Sequence, residues 1–425
     1  MKKNNLSIGV LGLWHLGLVY SVSLAKSGYK VLGYDLDKNN IKKIKNGDLP
    51  IFEPNLAENF KKQLKSRLFF NENPREVIRN KDYLFITLDT PVNVRDEIDL
   101  TSINKLFNLI INYSSKKTTI VISSQIPLGT SRNFLKKFGP NVIYFPENLR
   151  LGNALEDFLN PSRIVLGADD EKVIDKFLKD FPIFKCEVLK MSLESAEMLK
   201  HALNSYLAIN ISFSSELSDL CEAFGADIRD VVLGLKSDPR VSQKAPINPG
   251  LGFAGGTLGR DIKTLLKLSK KINYPAKLLN AIYKVNQDRL GYLLKKIKKV
   301  YPNLFDKKIG ILGLTYKPNT NTLRRSQSLD LARHLTKEKA EVRGLDPSIK
   351  NLNLKFINLS SSVNEFLKDL DLIILMTEWP EFKDINPNLI SSLVKQRIVI
   401  DTKNFLDQQK FINAGFKYLG VGQGQ

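Results

Sequence analysis

The chain has 425 residues, of which 43% are hydrophobic and 25% charged, and its formal net charge is +20. These values are typical of a globular protein with two or three domains. No apolar run reaches the roughly 18 residues that a membrane span needs, and two cysteines, Cys186 and Cys221, are too few for a disulfide framework or a metal pattern. We expect both thiols to be buried, because both lie in apolar stretches.

The positive charge does not identify a partner by itself. Lysines are spread over the whole length, and no zinc-finger, helix-turn-helix or RNA-recognition signature accompanies them. We therefore predict no nucleic-acid partner and interpret the charge as a lysine-rich solvated surface, whose field would also favour a polyanionic substrate. Residues 1–5 lead straight into an apolar stretch without signal-peptide features, so we expect a cytoplasmic protein with no membrane association.

The first part of the chain alternates short apolar runs with amphipathic stretches. Buried strands are predicted at Leu6–Leu11, Lys30–Asp35, Tyr83–Thr87, Thr119–Ser123, Asn141–Phe145 and Ile164–Gly167. A helix is predicted between the first two strands, at Val19–Ser27. Strands separated by helical patterns favour a parallel sheet built from βαβ units.

The middle of the chain is helical, and the opening pattern then recurs. Long helical stretches are predicted at Glu194–Phe224 and from Asp261 to Lys298. After them come strands at Lys308–Leu314, Glu341–Asp346, Leu370–Met376 and Ile398–Asp401, with a helix at Ser328–Lys337. The sequence thus predicts an α/β protein in which two parallel-sheet units flank a helical middle, with the long helix as the joint.

The turn after the first predicted strand carries a dinucleotide fingerprint. Gly12-x-Trp14-x-x-Gly17 opens the first helix, and Asp35 ends the second strand. In this pattern the acid binds the ribose 2′-hydroxyl and would repel a 2′-phosphate, so NAD is favoured over NADP. The middle glycine, which lets the backbone approach the pyrophosphate, is replaced by Trp14. A plain strand-to-helix turn stays possible on this motif alone.

A glycine-rich stretch, Pro249-Gly-Leu-Gly-Phe-Ala-Gly-Gly-Thr-Leu-Gly-Arg-Asp261, is bare enough for a ligand to reach its backbone. Further motifs along the chain are N-G-D-L-P-I-F-E-P (46–54), F-I-T-L-D-T-P (85–91), S-Q-I-P-L-G-T (124–130), P-E-N-L-R-L-G (146–152), K-x-x-x-N (200–204), D-P-R (238–240), the stretch 316–326 and T-E-W-P-E-F (377–382). In this order they resemble the motifs of the UDP-glucose/GDP-mannose dehydrogenase family.

The resemblance implies a fold and a function. It implies an NAD-binding Rossmann domain (1–190), a central helical domain with a long helix that forms a homodimer (191–300), and a Rossmann-like domain that binds the nucleotide of a UDP- or GDP-sugar (301–425). The family uses NAD to oxidise the primary alcohol at C6 of the sugar, first to an aldehyde and then, through a cysteine thioester, to a carboxylate.

The resemblance also implies roles for individual residues. Lys200 is the ammonium that stabilises the alkoxide, Asn204 holds water or the oxyanion, Glu147 is the general base, and Asp261 supports this network. Cofactor contacts are implied for Gly12, Trp14, His15, Leu16, Gly17, Asp35, Thr90, Gln125, Arg260 and Arg324. Substrate contacts are implied for Asn148, Leu149, Arg150, Leu151, Lys200, Asn204, Phe253, Gly255, Lys317 and, across the dimer, Arg240. No metal is predicted.

The departures from the family pattern lie around the chemistry. Thr257 stands where the family has its nucleophilic cysteine, and a hydroxyl is a poor nucleophile without an adjacent base. Gln125 replaces a threonine, and Leu151 replaces a glutamate. Two hypotheses follow. One is a dehydrogenase that takes the sugar to the aldehyde or to the uronic acid without a thiol, and the other is a catalytically silent protein that binds nucleotide sugars.

Overall fold

The structure is a computed structural model that describes residues 6–91, 98–146, 149–254, 256–351 and 353–424. The chain forms two compact units, the first ending at Leu203 and the second beginning at Asn204. This boundary falls inside one long helix, Leu193–Phe224.

The first unit is built on a sheet of eight strands. They are β1 (Ser7–Leu11), β2 (Lys30–Tyr34), β3 (Leu68–Phe70), β4 (Tyr83–Ile86), β5 (Thr119–Ile122), β6 (Val142–Tyr144), β7 (Arg163–Gly167) and β8 (Glu187–Met191). The order is β3-β2-β1-β4-β5-β6-β7-β8. The first six strands are parallel in the order of a dinucleotide-binding fold, whereas β7 runs antiparallel to β6, which the strand pattern alone did not predict.

Helices cover the sheet of the first unit. They are α1 (His15–Lys26), α2 (Lys38–Lys45), α3 (Leu56–Gln63), α4 (Pro74–Ile78), α5 (Thr101–Tyr113), α6 (Thr130–Phe138), α7 (Ala154–Leu159) and α8 (Glu171–Asp180). Every residue of β4 and β5 is buried, as expected for central strands covered on both faces. Aromatic rings from β4 and α8 pack together in the core, with the ring centres of Tyr83 and Phe177 5.9 Å apart.

The helices of the central region are α9 (Leu193–Phe224), α10 (Ile228–Ser237), α11 (Leu258–Lys271) and α12 (Lys277–Val300). The stretch predicted as mostly helical from Asp261 to Lys298 is interrupted between α11 and α12. Pro275 has no N–H to continue a helical ladder, and the neighbouring Asn273 and Ala276 adopt φ values of 55° and 34°. The chain therefore turns there and continues as a second helix.

The second unit repeats the six-strand order of the first. Its strands are β9 (Lys308–Leu312), β10 (Glu341–Leu345), β11 (Asn358–Leu359), β12 (Leu372–Leu375), β13 (Ile398–Asp401) and β14 (Lys417–Gly420), all parallel in the order β11-β10-β9-β12-β13-β14. Its other helices are α13 (Gln327–Lys337), α14 (Val363–Leu367), a 3-10 turn (Pro380–Asp384), α15 (Pro387–Ile390) and α16 (Gln408–Asn413). The predicted α/β class with two Rossmann-like sheets and a helical middle is confirmed.

Among the described residues, no helix is both long enough and apolar enough to cross a membrane.

Candidate functional site

The turn between β1 and α1 is packed too closely for side chains at two positions. Gly12 has a φ of +103°, and an added Cβ would lie 2.5 Å from the backbone nitrogen of Leu88. A Cβ on Gly17 would lie 1.6 Å from the carbonyl oxygen of Gly12. Within the described residues no side chain caps the start of α1, and its first turn has no acid. Its N–H groups therefore suit an anion such as a pyrophosphate.

Trp14 occupies the place of the middle glycine without backbone strain. Its φ of −85° and ψ of −152° are extended values that any residue adopts. The indole is 39% exposed and lines a cleft of about 850 Å³ in the first unit. The missing glycine therefore changes the wall of the cleft and leaves the turn itself intact. The neighbouring Leu16 is half-buried and packs against the core of this unit.

Asp35 directly follows β2 and lines the same cleft. Its Oδ2 accepts a hydrogen bond from the N–H of Leu13 at 2.6 Å, and its Oδ1 accepts one from the N–H of Asp37 at 2.9 Å. A carboxylate has about four acceptor positions, so these bonds fix Asp35 and leave it able to accept from ribose hydroxyls. The glycine cradle, the uncapped helix and this carboxylate fit NAD.

His15, the first residue of α1, is paired with a buried acid. Its Nε2 lies 2.8 Å from Oε2 of Glu53, and Glu53 also accepts from the N–H groups of Gly152 and Ala154 at 3.0 and 2.7 Å. Burial alone would raise the pKa of Glu53, but the bonds from His15 and the two N–H groups outweigh it and hold the pKa below its ordinary value. Glu53 thus ties the start of α1 to the segment before α7.

The loop after β5 is hydrogen-bonded to the segment that follows β4. The hydroxyl of Thr90 donates to the carbonyl oxygen of Gln125 at 2.7 Å, and both side chains are buried. Thr90 and Gln125, two of the cofactor residues implied by the sequence, therefore lie together at the ends of adjacent parallel strands. Parallel sheets of this type bind ligands beyond those strand ends.

The start of α9 holds the same loop from the other side. The carboxylate of Glu197 accepts from the N–H groups of Gly129 and Ser131 at 2.5 and 2.8 Å. Burial raises the pKa of Glu197, although these bonds oppose the shift. His201 Nε2 lies 3.0 Å from the carbonyl oxygen of Ile126. Neither contact was expected from the sequence, because the partners lie 66 to 75 residues apart.

Lys200 lies on α9 between these two anchors and is 5% exposed. The same helix carries Asn204 one turn later, which places the two side chains on one face of the helix. In the second unit the Asn204 amide donates to Oδ2 of Asp261, a fully buried residue in the first turn of α11. The structure thus pairs Asn204 with Asp261, while Glu147 lies outside the described residues.

Thr257 directly precedes α11, at the N-cap position. It is exposed, and its hydroxyl does not cap the helix. Arg260, three residues on, is 8% exposed. Neither cysteine belongs to this loop. Cys221 is buried near the far end of α9, and Cys186 precedes β8.

Four hydrogen bonds from two helices hold the glycine-rich loop. Asn286 on α12 accepts from the N–H of Phe253 at 2.7 Å and donates to its carbonyl oxygen at 3.0 Å. Gln327 on α13 donates to the carbonyl oxygen of Leu251 at 2.7 Å, and Arg289 donates to that of Gly250 at 3.4 Å. No sequence motif marks these three side chains, because each bonds the loop from 33 or more residues away.

Arg324 lies beside the same loop. An added Cβ on Gly256 would be 3.6 Å from its guanidinium. Gly255, which the sequence assigns to the substrate site, lies outside the described residues. The implied substrate residue Lys317 is half-buried, with its ammonium 5.9 Å from the centre of the Tyr316 ring.

The segment that precedes α7 contains the other implied substrate residues of the first unit. Arg150 is exposed and pairs with Asp157, Nη2 to Oδ1, at 2.6 Å. Leu149 packs against the core, and Leu151 is half-buried. Asn148 lies outside the described residues. In the second unit, Arg240 has an 87% exposed side chain that pairs with Asp238, two residues earlier, at 2.7 Å.

The acid of the second unit's fold, Asp346, accepts backbone bonds as Asp35 does and side-chain bonds from a hydroxyl and an indole in addition. Oδ2 of Asp346 accepts from the N–H groups of Leu314 and Thr315 at 2.7 and 3.0 Å and from the Thr315 hydroxyl at 3.1 Å. The buried indole of Trp379 donates to the same oxygen at 3.2 Å. The sequence repeats the strand that ends in an acid, but here the acid is bonded to a buried indole.

Comparisons with known proteins identify the family of this chain. Three models of the UDP-glucose/GDP-mannose dehydrogenase family match the chain in order. They are its NAD binding domain at residues 6–181, its central domain at residues 194–288 and its UDP binding domain at residues 310–408. NAD is therefore the cofactor, and a nucleotide sugar is the class of substrate.

Whole proteins match over their full length. UDP-glucose 6-dehydrogenase TuaD of Bacillus subtilis is 32% identical over 429 residues, 98% of this chain and 93% of that protein. UDP-glucose 6-dehydrogenase of Rickettsia conorii is 34% identical over 432 residues, with coverage of 98% and 99%. The solved UDP-glucose dehydrogenase of Pyrobaculum islandicum superimposes with a TM-score of 0.90 at 28% identity, covering 100% and 99% of the two chains. The chain therefore belongs to the UDP-glucose/GDP-mannose dehydrogenase family and is an NAD-dependent nucleotide-sugar dehydrogenase.

Proposed function

We propose that the protein oxidises the C6 alcohol of a UDP-hexose such as UDP-glucose, and that it does so without a covalent bond between sugar and enzyme. The substrate rests on the relatives, which are UDP-glucose 6-dehydrogenases. The absence of a covalent bond rests on one observation: Thr257, at the N-cap of α11, stands where the family pattern has its nucleophilic cysteine. The alternative of a silent binding protein has less support, since these relatives are enzymes.

No thiol is placed to replace the missing nucleophile. Cys221 lies 17 residues beyond Asn204 on α9, which corresponds to about 25 Å along the helix. Cys186 packs against the core of the first unit, and burial raises the pKa of both thiols. A thiol with a raised pKa carries little thiolate at neutral pH and is a weak nucleophile.

The remaining groups suffice for a route through a hydrate. In the first oxidation, the C6 alcohol loses its hydroxyl proton to a base and a hydride from carbon, which yields the aldehyde. We assign the Lys200 ammonium to the alkoxide and the Asn204 amide, fixed by Asp261, to the oxyanion or water. NAD supplies the hydride acceptor when bound. Water then adds to the aldehyde, and the hydrate would lose a hydroxyl proton to a base and a second hydride to a second NAD, which gives the carboxylic acid. Glu147 is our candidate base.

The other implied contacts complete the proposal. We assign the sugar nucleotide to Lys317, Phe253, the segment 148–151 and the glycine-rich loop, and phosphate groups to Arg260 and Arg324. The proposed domain limits are 1–190 for NAD binding, 191–300 for the helical region and 301–425 for the nucleotide sugar. We also propose that the protein acts in the cytoplasm.

Measuring NADH formation tests the proposed reaction. We expect purified protein to form NADH when NAD is mixed with UDP-glucose, and to do so more slowly with GDP-mannose. Saturable binding of UDP-glucose without any NADH would support the silent binding protein instead. No NADH with any of a panel of UDP- and GDP-sugars would contradict the proposal.

We further propose that the protein is a homodimer formed through α9. In the second unit this helix exposes an apolar stripe in which Tyr206, Phe213 and Leu220 follow each other at seven-residue spacing, with Phe224 one turn later. Their exposed fractions are 59%, 51%, 52% and 84%. A heptad stripe on a long helix is the pattern by which helices pair, and an exposed apolar stripe of this kind marks an interface.

Introducing two negative charges into the apolar stripe tests whether it forms the dimer interface. We expect the double variant Phe213→Glu, Leu220→Glu to weaken self-association by about 100-fold or more, because pairing would bury unpaired carboxylates. Light scattering over a concentration series measures the mass. Ile272→Glu, which replaces another apolar side chain that is 76% exposed, is the matched control and should leave the mass unchanged. A monomeric wild-type protein, or an unaltered mass in the double variant, would contradict the dimer proposal.

A further inference from the structure

The side chain of Asn286 forms hydrogen bonds with both the backbone N–H and the backbone carbonyl of Phe253. The Asn286 carboxamide accepts from the Phe253 N–H at 2.7 Å and donates to the Phe253 carbonyl at 3.0 Å. This two-way pairing is the pattern that a neighbouring strand would give the same residue in a sheet. The glycine-rich loop has no regular secondary structure at Phe253. Asn286 therefore takes the place of backbone partners that this segment lacks.

The loop is shaped to let this side chain approach. Gly252 has a φ of +79°, and an added Cβ would lie 2.2 Å from Oδ1 of Asn286. Any other residue at 252 would be strained in its backbone and would displace the amide. Phe253 itself is 9% exposed and packs with Ala208 and Ile262 in a small core cluster. The position of its ring is thus set by the pairing on one side and by this cluster on the other.

The helix that carries Asn286 is itself anchored beside the loop. Arg289, one turn later on α12, is 2% exposed and makes two bonds to the Asp219 carboxylate, at 2.8 and 2.7 Å. The same guanidinium lies over the ring of Tyr292 at 4.4 Å. A buried, doubly bonded arginine has little freedom to move. The part of α12 that carries Asn286 is therefore anchored beside the loop.

We propose that Asn286 is a positioning residue for the reaction, which holds Phe253 and the glycine-rich loop in the conformation that binds the nucleotide sugar. This proposal rests on the proposed function, because it takes the loop as part of the substrate site. The requirement is specific to a carboxamide. It needs one acceptor and one donor at the same distance from the helix, and an aspartate of the same size would set its second oxygen against the Phe253 carbonyl oxygen.

Two variants and a control separate this role from simple packing. Asn286→Asp keeps the shape and loses the donor, whereas Asn286→Ala loses both bonds. The control is Asn280→Ala on the same helix, since Asn280 is exposed and its amide donates to the carbonyl oxygens of Pro275 and Ala276 just before it. Unfolding temperatures establish that each variant is folded, and hydrogen exchange of a peptide covering residues 250–257 reports on the loop directly.

We expect both Asn286 variants to raise the KM for UDP-glucose about tenfold, since each removes at least one bond and leaves a backbone group unpaired. The KM for NAD should change by less than about twofold, because the dinucleotide cleft lies in the first unit. Exchange of the loop peptide should be faster in both variants and unchanged in Asn280→Ala.

An Asn286→Asp protein with the wild-type KM for UDP-glucose would overturn the inference, as would an equal rise in the KM for NAD. These outcomes are distinct from failure of the proposed function, which would appear as a wild-type protein that forms no NADH with any nucleotide sugar. In that event hydrogen exchange decides the positioning role: faster exchange in Asn286→Ala supports it, and unchanged exchange overturns it.

Discussion

Replacing Gly17 with alanine should abolish measurable NAD binding and destabilise the first unit. An added Cβ would lie 1.6 Å from the carbonyl oxygen of Gly12 and 2.8 Å from the Thr87 hydroxyl oxygen. The hydroxyl of Thr87 is itself bonded to that carbonyl at 2.8 Å, so α1 must move away from β1 to relieve the overlap. We expect a loss of about 3 kcal/mol of unfolding free energy, the upper part of the usual range for overpacking, and a fall in NAD affinity of at least about 100-fold.

Gly291→Ala is the matched control for this experiment. Gly291 also lies inside a helix, α12, but nothing stands within 4 Å of an added Cβ. Alanine there should stabilise the protein by about 0.5 to 1 kcal/mol through helix propensity and leave NAD binding unchanged. Isothermal titration with NAD and urea unfolding measure both effects. A Gly17→Ala protein with wild-type NAD affinity would show that the β1–α1 turn is not the cofactor cradle.

Replacing Lys200 with methionine should lower kcat by about 1,000-fold while the protein stays folded. The side chain is 5% exposed on α9, and methionine has a similar length and suits a buried position. What the variant lacks is the positive charge that we assign to the developing alkoxide, and removal of one such group costs about 100- to 1,000-fold or more. The KM for NAD should stay near that of the wild type.

The control for Lys200 is Lys267→Met, which removes the same charge from an exposed position on α11. Its kcat should match the wild type within about twofold. Steady-state rates with UDP-glucose and NAD, together with unfolding temperatures, give the comparison. If Lys200→Met retained more than about a tenth of the wild-type kcat, the assignment of the ammonium to the reacting oxygen would be wrong.

Local sequence patterns predict the elements of this fold well, because each pattern is carried by neighbouring residues. The strand predicted at Lys30–Asp35 is observed at Lys30–Tyr34, and the helix predicted at Glu194–Phe224 is observed at Leu193–Phe224. The order of strands in each sheet depends on pairings far apart in the chain. The antiparallel contact of β6 with β7, for example, consists of one residue pair, Tyr144 with Gly167, and no local signal marks it.

In the candidate site, too, contacts between residues far apart in the chain could not be predicted from the sequence. The sequence marks Asp35 and Asp346 alike, as acids that end the second strand of each unit, but only the structure shows that the Trp379 indole and the Thr315 hydroxyl occupy the second acid. The resemblance to the family identifies residues with a chemical role. It does not identify the residues that hold the loops of the site in place. Glu197 and Asn286 bond the backbone of loops 66 and 33 residues away, and side chain to backbone bonds of that kind leave no motif.

The number of NADH formed per sugar by a thiol-blocked protein tests directly whether the oxidation proceeds without a thiol. Protein treated with iodoacetamide is given limiting UDP-glucose and excess NAD, beside a Thr257→Cys variant that restores a thiol to the loop. We expect two NADH per UDP-glucose from the wild-type protein, at the same rate before and after alkylation. We expect alkylation to abolish activity only in Thr257→Cys. Inactivation of the wild-type protein by alkylation would contradict the thiol-free route, and one NADH per sugar would show that oxidation ends at the aldehyde.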